Sequence, residues 1–160
     1  MESQLDVEPD RHLTYLIAKV SHQLQLVLDR ALQAEGITLT QFSALAHIAR
    51  APGLSGAELA RLLLTTPQAT ATLIGRLVRL GLVERPDTRR GVAGAMRLTP
   101  GGLSKLQAAE NIALPTERQA LSALTAQEQG NIATALTNLL QSLDDRQIGL
   151  GDDRDARVHP

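Results

Sequence analysis

Apolar positions recur at intervals of three and four over most of this chain, and glycine and proline mark the breaks. Leu13, Leu16, Ile17, Val20, Leu24, Val27, Leu28 and Ala31 form one stripe, which predicts a long amphipathic helix over 11–35 stopped by Gly36. A stripe of that length points to packing beyond a single small domain. Ile37-Thr38-Leu39 reads as a connector, with Thr40 as the cap of a helix over 41–51 that buries Phe42, Leu45 and Ile48 and ends at Pro52-Gly53. Ser55 and Glu58 have capping-box spacing, so a helix of about ten residues with Leu59, Leu62 and Leu63 inward starts there. Leu64-Thr65 makes a tight turn. Thr66 then caps a helix whose first residue is Pro67, where a missing N–H costs nothing. Its inner stripe is Leu73, Ile74, Leu77 and Leu80, and Gly81 is its left-handed stop.

The period then shortens. Leu82–Arg85 and Ala95–Leu98 alternate like two strands, joined by a loop with Arg89-Arg90 near its tip. Thr99-Pro100 repeats the cap-then-proline start, with Leu103, Leu106 and Ile112 inward. Pro115 predicts a kink or a restart, because it lacks an N–H and clashes one turn back. Thr125 and Glu128 form a second capping box, opening a last helix to about Leu143 with Ile132, Leu136, Leu139, Leu140 and Leu143 on one face. Residues 1–9 and 147–160 are polar and unpatterned and read as flexible termini.

Two short helices joined by a tight turn and followed by a basic hairpin make a winged helix-turn-helix. The fold class expected is mainly α with a small β wing, a winged helix-turn-helix over 36–99 plus a helical layer from 11–35 and 100–146. The net charge is −1, which does not advertise a nucleic-acid partner. Its distribution does: from Arg61 to Arg97 there are seven arginines against Glu84 and Asp87, a local +5. On the helix from Pro67 to Leu80, the face opposite the core carries Gln68, Ala71, Thr72, Gly75, Arg76 and Arg79. Such a face can read base edges in a major groove, and the two wing arginines can reach phosphates or a minor groove. A solvated charged face is the plainer alternative.

Leu54-Ser55 through Leu64, Thr66-Pro67, Arg76-Leu77, Leu80-Gly81-Leu82-Val83-Glu84-Arg85, Arg89-Arg90 and Leu98-Thr99-Pro100-x-Gly102 together resemble the MarR family of bacterial transcriptional regulators. The matches cover about 38–106. Departures are a wing about one residue short, Thr88 where an aspartate is usual, Thr72 where arginine is frequent, and Gly75 where a polar residue is frequent. They bear on the operator sequence and leave the fold untouched. The resemblance implies a homodimer whose flanking helices form a dimerisation layer and whose two reading helices lie about 34 Å apart on a palindromic operator. The DNA contacts it implies are Ser55, Thr65, Thr66, Gln68, Ala69, Ala71, Thr72, Arg76 and Arg79, with Arg89 and Arg90 on the wing. It also implies a small aromatic or anionic effector held between the dimer layer and the DNA-binding lobe. Tyr15 and Phe42, the only aromatic residues, with His22 and His47, are the pocket residues that fit.

The remaining chemistry narrows the field. There are no cysteines, which removes disulfides and thiol-based metal or redox sites. His12, His22 and His47 have no i, i+4 pairing, so neither a metal nor a cofactor is expected. Ser21-His22 are adjacent on a helix and cannot face each other, so no catalytic constellation forms and no enzyme is expected. No apolar run spans a bilayer, and the acidic start is no secretory signal, so the location expected is the cytoplasm. The function these features favour is a sequence-specific, ligand-relieved repressor. The competing readings are a winged helix that binds protein, and a constitutive DNA binder without an effector.

Overall fold

The computed structural model describes residues 12–85 and 96–149, the last six of these as backbone only. Its elements are α1 (Leu13–Leu32), a 3-10 turn (Gln33–Glu35), α2 (Leu39–Arg50), α3 (Gly56–Leu62), α4 (Pro67–Arg79), β1 (Val83–Glu84), β2 (Arg97–Leu98), α5 (Pro100–Ala120) and α6 (Ala126–Gly149). They fall into two compact units, one ending at Ala120 and one beginning at Leu121. In the first, α1 packs chiefly on α5, α2 on α5, and α3 on α4.

The core of the first unit has two parts. One lies under the helix-turn-helix and gathers Ala44, Leu45, Ile48, Leu59, Ile74, Leu77, Leu82, Val83, Met96 and Leu106. The other lies where α1, α2 and α5 meet and gathers Leu32, Ile37, Ala109 and Ala113. Phe42 is half-buried and packs against both. The hairpin is antiparallel, with Val83 opposite Leu98 and Glu84 opposite Arg97. A third backbone segment joins it: Gly53 N–H donates to Met96 C=O at 3.0 Å, and Met96 N–H donates to Leu54 C=O at 3.4 Å. That pairing fixes the start of α3 to the base of the wing.

Several boundaries differ from the sequence expectation. The cap of α2 is Thr38, not Thr40. Thr38 Oγ1 accepts from Gln41 N–H at 3.2 Å, and Gln41 Oε1 accepts from Thr38 N–H at 3.0 Å, a complete capping box. Asp29 of α1 then accepts from Leu39 N–H at 2.6 Å, a partner ten residues away in the chain. Helix α3 has seven residues, not ten. Helix α5 runs through Pro115 without a restart, and Thr116 Oγ1 donates to Ile112 C=O one turn back, at 2.7 Å. On α4 the buried row is Thr70, Ile74 and Leu77, while Leu80 is 52% exposed. Helix α6 opens at the Thr125–Glu128 box as expected but continues to Gly149, into the stretch read as a flexible tail. From Asn131 to Ile148 the sequence offers no glycine or proline to end it sooner. The Arg89-Arg90 pair and residues 1–9 lie outside the described residues.

Candidate nucleic-acid interface

Helix α4 forms because both of its ends are specified. Thr66 Oγ1 accepts from Ala69 N–H at 3.1 Å, and Pro67 takes the first helical position. At the other end Gly81 adopts φ 68°. Its N–H donates to Val78 C=O at 2.9 Å, and Leu82 N–H donates to Leu77 C=O at 3.0 Å. That is a Schellman closure, with the accompanying apolar contact made by Leu77 and Leu82, both buried. The outer face is fixed by exclusion: with Thr70, Ile74 and Leu77 inward, Gln68, Ala69, Ala71, Thr72, Gly75, Arg76 and Arg79 are all exposed. Gln68, Thr72 and Arg76 follow at intervals of four, so they share a face. The Thr72 hydroxyl donates to Gln68 C=O at 3.1 Å, which leaves its oxygen as an acceptor and its methyl as an apolar contact. Among the described residues a Cβ on Gly75 would meet nothing within 4 Å, so none of them requires glycine there.

The remaining expected contacts flank this face. Ser55 is half-buried, and its Oγ accepts from Glu58 N–H at 3.2 Å while Glu58 Oε2 accepts from Ser55 N–H at 2.7 Å. Hydrogen bonds from the Ser55 hydroxyl, and then from its backbone N–H, hold the Glu58 carboxyl below its ordinary pKa. Thr65 is half-buried, with its N–H bonded to Ala60 C=O, and Thr66 is exposed. Arg85 and Arg97 stand exposed at the base of the wing. Among the described residues no carboxylate pairs with Arg76, Arg79 or Arg85. The outer face of α4 is therefore basic at its C-terminal end, with Arg76 and Arg79, and uncharged at its N-terminal end.

The expected effector residues lie on α1 and α2. Tyr15 and His22 are exposed on α1, with Lys19 Nζ 5.6 Å from the Tyr15 ring centre. His47 is half-buried on α2, and Phe42 is a core side chain between the two clusters. A cavity of about 530 Å³ does open on the first unit, but Ile48, Ala49, Pro52, Arg97, Leu98, Thr99, Pro100 and Leu103 line it, and none of the four does.

A capped helix packed on a short helix across a tight turn, followed by an antiparallel hairpin, defines a winged helix-turn-helix protein. The MarR-family model matches residues 35–91. The HTH-type transcriptional repressor Rv2887 of Mycobacterium tuberculosis is 34% identical over 131 residues, covering 81% of this chain and 94% of that protein. Its crystal structure with salicylic acid superposes at TM-score 0.68, with 34% identity over 81% of this chain and 97% of the other. A mutant MarR from E. coli, complexed with operator DNA, superposes at TM-score 0.73 with 27% identity over 80% and 93%. The chain belongs to the MarR family of winged helix-turn-helix transcriptional regulators.

Proposed function

We propose that this protein is a cytoplasmic, homodimeric repressor that reads a palindromic duplex with α4 and releases it on binding an aromatic acid. The observation that carries the reading is the outer face of α4, where Gln68, Thr72 and Arg76 stand exposed in one row on a helix capped at Thr66 and rigidly stopped at Gly81. Gln68 lies by the N-terminus, where an amide can pair with adenine through two bonds; Arg76, two turns on, can pair with guanine or clamp a phosphate. Ser55, Thr65 and Thr66 would meet the phosphates flanking the groove, with Arg79, Arg89 and Arg90 supplying charge. Residues 11–35 and 100–146 would form the dimerisation layer. Among the described residues no helix is long and apolar enough to cross a membrane, in keeping with a regulator of DNA.

Fluorescence anisotropy on the protein's own upstream region tests this. Gln68→Ala is expected to cost about 1–3 kcal/mol on the cognate duplex and little on a scrambled one, and Arg76→Ala at least as much on the cognate. Equal losses on both duplexes from Gln68→Ala would remove α4 as the reading element.

The effector reading is supported by the salicylic acid in the relative's crystal structure. A second reading, constitutive binding without an effector, draws on the cavity of the first unit, which none of Tyr15, His22, Phe42 and His47 lines. Titrating salicylate into the bound complex separates them: release at millimolar ligand supports the first, and an unchanged anisotropy supports the second.

A further inference from the structure

The turn between α3 and α4 is closed like the end of α4. Leu64 N–H donates to Arg61 C=O at 3.1 Å and Thr65 N–H to Ala60 C=O at 3.0 Å, which is again a Schellman pattern. In such a closure the residue after the cap is left-handed. Gly81 fills that position after α4, at φ 68°, and Gly36 takes the left-handed stop after the 3-10 turn, at φ 67°. After α3 the position holds Leu64, at φ 51°, the one non-glycine with positive φ among the described residues. A left-handed leucine crowds its Cβ against the following carbonyl oxygen. Burial does not offset that strain, because Leu64 is 87% exposed. Glycine would make the same hydrogen bonds without the crowding and without a solvated isobutyl group. Inside the chain, therefore, the side chain is unfavourable twice over.

Its position gives it a use. Leu64 stands two residues before the Thr66 cap of α4, beside the end of the reading helix that enters the groove. From Leu62 to Gly75 the sequence contains no charged residue, so the turn and the first two turns of α4 carry no lysine or arginine of their own, and Arg61, exposed on α3, is the nearest in sequence. Contact made by these residues themselves is non-ionic. We propose that Leu64 packs its exposed side chain against the deoxyribose wall of the DNA groove, adding sequence-independent affinity at the uncharged end of α4. The proposal rests on the DNA-binding reading above.

Two substitutions separate contact from strain. Leu64→Ala keeps a Cβ in the left-handed position and removes the rest of the side chain, whereas Leu64→Gly removes both. Each variant is titrated by anisotropy against the operator and a scrambled duplex of equal length, over a range of salt, and melted in the absence of DNA. Both variants should weaken both duplexes by the same factor, roughly three- to tenfold, as befits the loss of one buried aliphatic side chain. The salt slope should stay that of the parent, because no ionic contact is lost. Leu64→Gly should melt above Leu64→Ala. If the parent binds and both variants bind both duplexes within twofold of it, the proposal is overturned. A loss confined to the operator would also overturn it, since Leu64 would then be reading a base methyl. If the parent binds neither duplex, the repressor reading falls first and takes this contact with it.

Discussion

At Gly102 the first turn of α5 lies so close to the end of α4 that a Cβ would collide with the Leu82 carbonyl oxygen. Neither atom can swing aside, because both belong to backbone held on either side by helix and strand. Gly102→Ala should therefore destabilise the protein by at least about 2 kcal/mol, read as a lower urea midpoint at an unchanged slope. Thr70 is the opposite case. It is fully buried on the inner row of α4, and among the described residues its Oγ1 has no hydrogen-bond partner. Thr70→Val replaces that hydroxyl with a methyl of nearly the same size, so the protein should gain about 1 kcal/mol, seen as a higher midpoint. Neither residue was legible in advance. A threonine in a helical pattern reads as outward, and a glycine's close neighbour lies twenty residues away in the chain. The cap of α2 is a different case. Gln41 stands three residues after Thr38 at the same box spacing as Ser55 and Glu58, so the sequence carries the signal for Thr38 over Thr40, and Asp29 arriving from α1 adds to it.

Helix ends written locally agree with the sequence expectation. Ser55 with Glu58, Thr66 with Pro67, Gly81, and Thr125 with Glu128 each specify one helix end through neighbours three residues away or fewer, whereas the far ends of α3 and α6 carry no such signal and differ from it. The two boxes also set a pH response. Glu58 is held below its ordinary pKa by the Ser55 hydroxyl and N–H, and Glu128 by the Thr125 N–H and then its hydroxyl. A carboxyl lowered on folding stabilises above its unfolded pKa, and that contribution disappears as pH falls through the lowered folded value. The amide signals of Ser55 and Thr125 should therefore titrate with midpoints below the usual glutamate value of about 4.3. Ser55→Ala should move the Glu58 midpoint upward; an unmoved midpoint would mean that the hydroxyl contributes nothing. Pro115 is accommodated for a reason visible in α5: the proline and Asn111, whose carbonyl its missing N–H leaves without a helical partner, both lie on an exposed face open to water. The effector pocket was legible only as a resemblance, since no local pattern marks Tyr15, His22, Phe42 or His47 as neighbours.

Over the whole chain, apolar stripes exceed what one copy buries. On α6, Ile132, Leu136, Leu139, Leu140 and Leu143 are each more than a third exposed, and on α1 so are Leu13, Tyr15, Leu16 and Val20. Surfaces of that kind mark an interface. Sedimentation should give a dimer at micromolar concentration, and Leu140→Asp should shift it to monomer and abolish operator binding, because an unpaired charge in an apolar interface is costly. A stable parent monomer would contradict the assembly. One joint in the first unit bears on how such an assembly works. Thr99 N–H donates to Leu82 C=O at 3.1 Å, and Thr99 Oγ1 donates to Gly81 C=O at 2.6 Å and accepts from Gly102 N–H at 2.9 Å. With Gly102 flush against the same turn, α4 and α5 are pinned into a crank without slack. The long arm, α5, extends about 30 Å. A push of about 1 Å at its far end thus swings the short arm by roughly two degrees, which is how a ligand that never touches DNA could pull a reading helix out of register.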